Sequence, residues 1–201
     1  MSRIIVDSIR NSSASADGIT LASDGSVTIP GNATCSGTAT GFGGGKILQV
    51  VQVTKTDAFS STSTSYTDVT GLAASITPTS SNSVILVRFD VQIGGSQNLY
   101  ASAKCQRLIS GGSYADLQVG NSVGSHRQAN MSMDTEVSYG YVKGYSNSFS
   151  LKDSTHNTTS QITYKLVCIV SAGTVYVNRY HNDSTNSTAG TSSVTLMEVA
   201  A

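Results

Sequence analysis

Ser83-Val-Ile-Leu-Val-Arg-Phe-Asp-Val-Gln-Ile93 carries the clearest structural signal in the chain. Val87, Phe89, Val91 and Ile93 alternate with Arg88, Asp90 and Gln92. Successive side chains of a strand point to opposite faces, so this pattern describes a half-buried strand with its apolar face inward. On the N-terminal side, Lys46-Ile-Leu-Gln-Val-Val-Gln-Val-Thr-Lys55 is rich in β-branched residues and reads as another strand, with a short one at 72–76 between the two. On the C-terminal side follow strands at 99–109, 161–170, 174–179 and 192–199, and weaker ones at 114–119 and 131–145. Gly94-Gly95-Ser96, Gly111-Gly112-Ser113 and Ser171-Ala172-Gly173 read as hairpin connections. No segment sustains helical apolar spacing over more than two turns. Eight or so strands predict an all-β fold, a jelly-roll-like antiparallel β-sandwich over residues 46–201.

Composition agrees with β structure. Of 201 residues, 57 are Ser or Thr, and these short polar side chains suit exposed strand faces and turns rather than helices. Twelve basic and twelve acidic residues are scattered along the chain and cancel. No basic stretch is set to displace counterions, so no nucleic-acid partner is expected. No apolar run is long enough for membrane insertion, and Asp7 cuts short the run Ile4-Ile5-Val6, so no secretory signal is expected and the chain is taken to be assembled in a cytoplasm.

Residues 1–45 differ in texture. Gly41-Phe42-Gly43-Gly44-Gly45 reads as a joint that divides the chain into 1–45 and 46–201. Before it, Ile19 and Leu21, then Val27 and Ile29, form short alternations separated by turn signals, and Ala33 and Cys35 extend them weakly. A strand of this length offers about two apolar side chains, worth roughly 1.5–3 kcal/mol each when buried. Ordering each residue costs roughly 1–2 kcal/mol, so one such stretch does not fold alone. Three copies around an axis cover one another. A trimeric β-prism or β-spiral stem is therefore expected, with Ile19, Leu21, Val27 and Ile29 as its seam; a disordered Ser/Gly-rich tail is the competing reading.

Chemistry-bearing motifs are weak. Cys35, Cys105 and Cys168 are odd in number and widely spaced, which fits small buried thiols better than disulfides or zinc. His126, His156 and His181 show no metal-ligand spacing and read as surface loop positions, so neither metal nor cofactor is expected. Gly120-Asn-Ser122-Val-Gly124 matches the nucleophile-elbow formula, but no helix is expected after it and His126 follows too closely. No pair of carboxylates stands out for glycoside hydrolysis, so no enzyme is expected. Asn11, Asn32, Asn130, Asn157, Asn182 and Asn186 fit the glycosylation formula, as chance allows in a chain this rich in Ser and Thr. The best recognition candidate is Arg179-Tyr-His-Asn-Asp-Ser-Thr-Asn-Ser187, between two strands. Arg179, Tyr180, His181, Asn182 and Asp183 suit stacking on and hydrogen bonding to a sugar, with Tyr100 and Tyr114 as weaker candidates.

Several phrases together resemble fibre-type virion structural proteins of marine bacteriophages, of the cyanophage and pelagiphage kind. They are Arg3-Ile-Ile-Val-Asp-Ser-Ile9, Val27-Thr-Ile-Pro-Gly-Asn-Ala-Thr-Cys-Ser-Gly-Thr-Ala-Thr-Gly41, Gly45-Lys-Ile-Leu-Gln-Val-Val-Gln52, Ala73-Ala-Ser-Ile-Thr-Pro-Thr79 with Ser83-Val-Ile-Leu-Val87, Val175-Tyr-Val-Asn178 and Gly190-Thr-Ser-Ser-Val-Thr-Leu-Met-Glu-Val-Ala200. The resemblance implies a homotrimer in the virion, anchored by its N-terminus to other virion proteins and displaying its C-terminal head. Ile4, Ile5, Val6 and Ile9 would pack into a groove or add a strand to a virion sheet edge. A tail-associated fibre that binds a host glycan by avidity is one form of this expectation. A capsid decoration or head-fibre protein is the other, and the short stem keeps it close.

Overall fold

Alternation in the sequence becomes alternation of burial in the computed structural model. It describes residues 6–9, 12–13, 15, 18–29, 46–96, 99–135, 145–180 and 188–201. The chain divides into two units, Met1–Gly44 and Gly45–Ala201.

The first unit holds β1 (Ser8–Ile9), β2 (Ile19–Leu21) and β3 (Val27–Thr28), in an antiparallel sheet of that order. Ile9 lies opposite Ile19, and Leu21 opposite Val27. Paired residues share a face, as do residues two apart, so these four apolar side chains stand on one face. The expected strand around Ala33 and Cys35 lies outside the described residues.

The second unit contains β4 (Ile47–Lys55), β5 (Phe59–Ser61), β6 (Thr67–Ile76), β7 (Val84–Gly95), β8 (Leu99–Ile109), β9 (Ala115–Asp116), β10 (Met131–Thr135), β11 (Tyr145–Asp153), β12 (Ile162–Ala172), β13 (Val175–Val177) and β14 (Ser192–Val199). One sheet runs β4-β14-β7 with β11 on the far side of β7; the other runs β6-β12-β8-β10. All pairs are antiparallel. With the short β5, β9 and β13 set aside, the chain winds between the sheets as two Greek keys, the strand order of a jelly roll.

The inward faces make the core. Ile85, Val87, Phe89, Val91, Val194 and Leu196 from the first sheet meet Leu72, Ala74, Ile76, Cys105, Leu166 and Cys168 from the second. Phe89 stacks on Phe149 of β11 at 5.2 Å between ring centroids. Two carboxylates pin the sandwich. Asp153, at the end of β11, accepts from Arg107 Nη1 at 2.8 Å and from the Tyr164 hydroxyl at 2.7 Å, both on the other sheet. Glu198 points inward from β14 and accepts from Gln49 at 2.6 Å, from Thr79 N–H at 2.8 Å and from the Thr79 hydroxyl at 2.9 Å.

Several expectations need correction. The ends of the stretch 131–145 belong to different sheets: Met131–Thr135 is β10, paired with β8, and Tyr145 opens β11, paired with β7, while residues 136–144 lie outside the described residues. The strand at 114–119 shrinks to Ala115–Asp116. Gly94-Gly95-Ser96 and Ser171-Ala172-Gly173 are not hairpin turns, because each joins strands of opposite sheets. His156 is buried rather than in a surface position: its ring nitrogens lie 2.8 Å from the Ser83 carbonyl and 3.1 Å from the Thr158 carbonyl.

Candidate functional site

β13 and β14 lie in succession along the same edge of β7, Val177 opposite Ile93 and Ser193 opposite Asp90. The strand line thus stops at Val177 and resumes at Ser192. The neighbouring line, β4 followed by β5, breaks at the same level between Lys55 and Phe59.

Asn178 closes both breaks. It is buried and adopts φ +63°, a left-handed backbone that Asn tolerates better than most residues. Its N–H donates to the Gln92 carbonyl at 2.9 Å, and its carbonyl accepts from Gly190 N–H at 3.2 Å. Its side-chain amide donates to the carbonyls of Lys55 at 2.9 Å and Asp57 at 3.0 Å. Its Oδ1 accepts from the Ser192 hydroxyl at 2.6 Å, and Ser192 Oγ accepts from Gln92 N–H at 3.0 Å. Backbone and side chain of Asn178 are all engaged, so the loop leaves the sheet from a fixed base.

On the outer face beside this base lies a shallow cleft of about 170 Å³, lined by Asp90, Gln92, Ser146, Asn147, Ser148 and Thr191. The register explains it: Gln92 stands opposite Ser146, and Asp90 opposite Ser148. Arg88 holds the Asp90 carboxylate through Nε at 2.9 Å and Nη2 at 2.8 Å. Gln92 Oε1 is buried without a hydrogen-bond partner among the described residues, and the Gln92 amide lies where any side chain at position 190 would stand. Arg179 opens the loop with its guanidinium 4.8 Å from the Tyr176 ring centroid. Hydroxyls, amides and a paired carboxylate suit hydrogen bonding to a polar ligand. Elsewhere, burial pushes the Cys105 and Cys168 thiols up to about 12 and raises the Tyr164 phenol, so these groups stay protonated at neutral pH.

Of the sequence-predicted recognition residues, Arg179 and Tyr180 are half-buried at the loop's start, while His181, Asn182 and Asp183 lie outside the described residues. Tyr100 and Tyr114 are not brought to the cleft. Tyr100 is exposed on the other sheet, and Tyr114 lies beside that sheet with its ring 3.7 Å from Lys165 Nζ. Residues 120–124 of the elbow-like motif lie in an irregular loop. In the first unit, Val6, Ile9, Leu21, Val27 and Ile29 are exposed and Ile19 is half-buried; Ile4 and Ile5 lie outside the described residues. Ile9, expected in the anchor, shares a sheet face with Ile19, Leu21 and Val27. Sequence reading missed Asn178, Gln92, Ser146 and Ser148. The one signal for them is an Asn ending the alternation Val175-Tyr-Val just before a polar loop.

The sequence profile of the Pgp3 C-terminal domain matches residues 92–201, more than half of the chain. The chain belongs to the Pgp3 C-terminal domain family. The Pgp3 C-terminal match begins at Gln92 and takes in Asn178, the loop and β14. No curated protein matches the chain. Among solved structures, VP2 of infectious bursal disease virus in T=1 particles is similar at 14% identity and a TM-score of 0.37, over 75% of this chain and 38% of that one. VP2 in a subviral particle of the same virus gives 15% identity and a TM-score of 0.36, over 75% and 39%. The chain therefore spans well under half the length of these VP2 chains.

Proposed function

We propose that the chain is a non-enzymatic structural protein of a bacteriophage particle: a homotrimeric short fibre whose sandwich head is displayed on the virion, tail-associated and host-adhesive. The observation that carries this reading is the apolar face of the first unit. Ile9, Leu21 and Val27 are 55%, 38% and 57% exposed, and Ile19 stands among them half-buried. A sheet with strands of two or three residues gains too little from its own pairing to leave such a face in water. Other copies of the same strands cover it best, since each then offers the same thin seam. The head contributes a rigid frame that holds a loop at a fixed base, the arrangement by which β-scaffolds carry recognition, and threefold repetition multiplies weak glycan contacts.

A capsid decoration role is the second reading, favoured by the brevity of the three stem strands, which give little reach. Both readings place the anchor in the first ten residues. Particles propagated with a chain lacking residues 1–6, which spares Asp7 and β1, test it. The wild-type chain should co-purify with particles and the truncated one should not, while keeping the same number of chains per oligomer. Equal incorporation of the two overturns the anchor, and absence of the wild-type chain from particles overturns the virion assignment.

A further inference from the structure

The outer face of the β6-β12-β8-β10 sheet, across the sandwich from the cleft, carries two tyrosines laid on two lysines. Tyr114 leads into β9, and β8 separates β9 from β12. Its ring nonetheless reaches Lys165 of β12, with the ammonium 3.7 Å from the ring centroid. Tyr66 leads into β6 on the other side, and its ring reaches over β12 to Lys104 of β8, at 3.8 Å. Each ring therefore lies along the sheet instead of standing off it. The lysines are fixed in turn. Lys165 pairs with Asp68 at 2.7 Å and Lys104 with Asp116 at 2.6 Å, and the second Asp116 oxygen accepts from Gln106 at 3.0 Å. The Tyr66 hydroxyl donates to the Gln128 carbonyl at 2.9 Å. Lys104 stands opposite Val167, two residues from Lys165, so the two rings belong to one surface. The Lys165 side chain is 14% exposed and Tyr114 is 40% exposed. The Tyr114 ring thus covers the ammonium with one face and turns the other to solvent.

We infer that Tyr114, with Tyr66 beside it, is a stacking platform for a neutral pyranose ring of a host glycan. The inference rests on the glycan-adhesive reading above and adds a contact on a second face of the head. Three features select this ligand. The first is shape: a pyranose has an apolar face of C–H bonds and a rim of hydroxyls, and the free face of Tyr114 suits the apolar side. Around the ring, the exposed Asp68 carboxylate keeps acceptor sites for hydroxyls beyond the one Lys165 uses, and Asp116 and Gln106 stand next to it. The second is charge: Asp68 and Asp116 balance Lys165 and Lys104, so these four groups leave no net charge to draw an acidic sugar. Arg127, next to the Gln128 that holds Tyr66, spends its guanidinium on the Val170 carbonyl at 3.4 Å. The third is rigidity: both rings rest on paired lysines, so little side-chain freedom is lost when a sugar stacks on them. Threefold repetition of the head would multiply a contact of this size.

Binding of the labelled full chain to immobilised glycans tests this, with neutral hexose oligosaccharides set beside sialylated and sulfated ones. The expected result is binding to neutral oligosaccharides that Tyr114→Ala weakens at least tenfold, with an unchanged thermal transition, and that Tyr114→Phe retains. If Tyr114→Ala alters that transition, Tyr114→Leu, which keeps an apolar side chain without a ring face, replaces it and must weaken binding by the same factor. Neutral-glycan binding that the Ala and Leu variants leave intact overturns the inference and spares the glycan-adhesive reading. Equal loss in Tyr114→Phe overturns the stacking, because the hydroxyl then carries the contact. Binding confined to sialylated or sulfated glycans overturns the neutral class. A wild-type chain that binds no glycan overturns the adhesive reading, and this inference with it.

Discussion

Asn178 is the residue on which the candidate site turns. Asn178→Ala leaves the carbonyls of Lys55 and Asp57 and the Ser192 hydroxyl without their partner, in a left-handed backbone that Ala disfavours. We expect a loss of about 3 kcal/mol, read from urea unfolding. A smaller second effect should be faster proteolysis within the loop, because its base no longer closes. Glu198 makes the opposite end of the sandwich acid-sensitive. Burial works to raise its pKa, but hydrogen bonds from Gln49, Ser83 and Thr79 outweigh that and hold it at about 2 against an ordinary 4.5. The folded state then binds fewer protons than the unfolded one. The stabilisation is full above about 4.5 and is lost as pH falls from there toward about 2. Denaturant midpoints should fall through that window for wild type and fall less steeply for Glu198→Gln; parallel slopes would remove Glu198 from the account. Neither residue's role was legible beforehand. Asn178 and Glu198 find their partners across long stretches of chain, and a single sequence does not pair distant polar groups. The same holds for His156, whose burial depends on the Ser83 carbonyl.

Strands were legible where alternation was strong. Ser83–Ile93 announced β7, and the segments 99–109 and 192–199 coincide with β8 and β14. β11 was overlooked because Ser146-Asn-Ser-Phe-Ser-Leu-Lys-Asp153 is mostly polar; only Phe149 and Leu151 alternate inward. It is an edge strand, and the Gln118 side chain bonds to both the carbonyl and the N–H of Lys152 at 2.7 and 3.1 Å, occupying part of that edge. Gly94-Gly95 misled, since a crossover between sheets and a hairpin turn need the same small residues, whereas Gly111-Gly112 does connect the antiparallel β8 and β9. Gly95 shows what the crossover requires: a Cβ there would run into the buried Leu99 side chain. Gly95→Ala should therefore destabilise the sandwich by about 1–3 kcal/mol. Gly190→Ala displaces only the flexible end of Gln92 and should cost less. Thermal melting of the two variants checks the order, and the reverse order would contradict this view of the crossover.

At the scale of the molecule, the all-β jelly roll follows from period-two patterning and turn chemistry, both of which the sequence carries openly. Assembly does not, because what would cover the apolar face of the first unit is not carried by a single chain. The exposure of Val27 in the stem leads to a direct prediction. In the proposed trimer, Val27→Asp would set three like charges around one axis, and charge buried there without a partner is costly. The variant should sediment as a monomer while its head melts as wild type does. A stable Val27→Asp trimer would place the seam elsewhere. The central claim is that this chain is displayed on a virion with its head outward. Electron microscopy of intact particles labelled with an antibody against residues 46–201 tests it most directly. The account predicts label on the particle, clustered at the tail for the adhesive fibre and spread over the shell for the decoration role. Particles that bear no label at either place would contradict it.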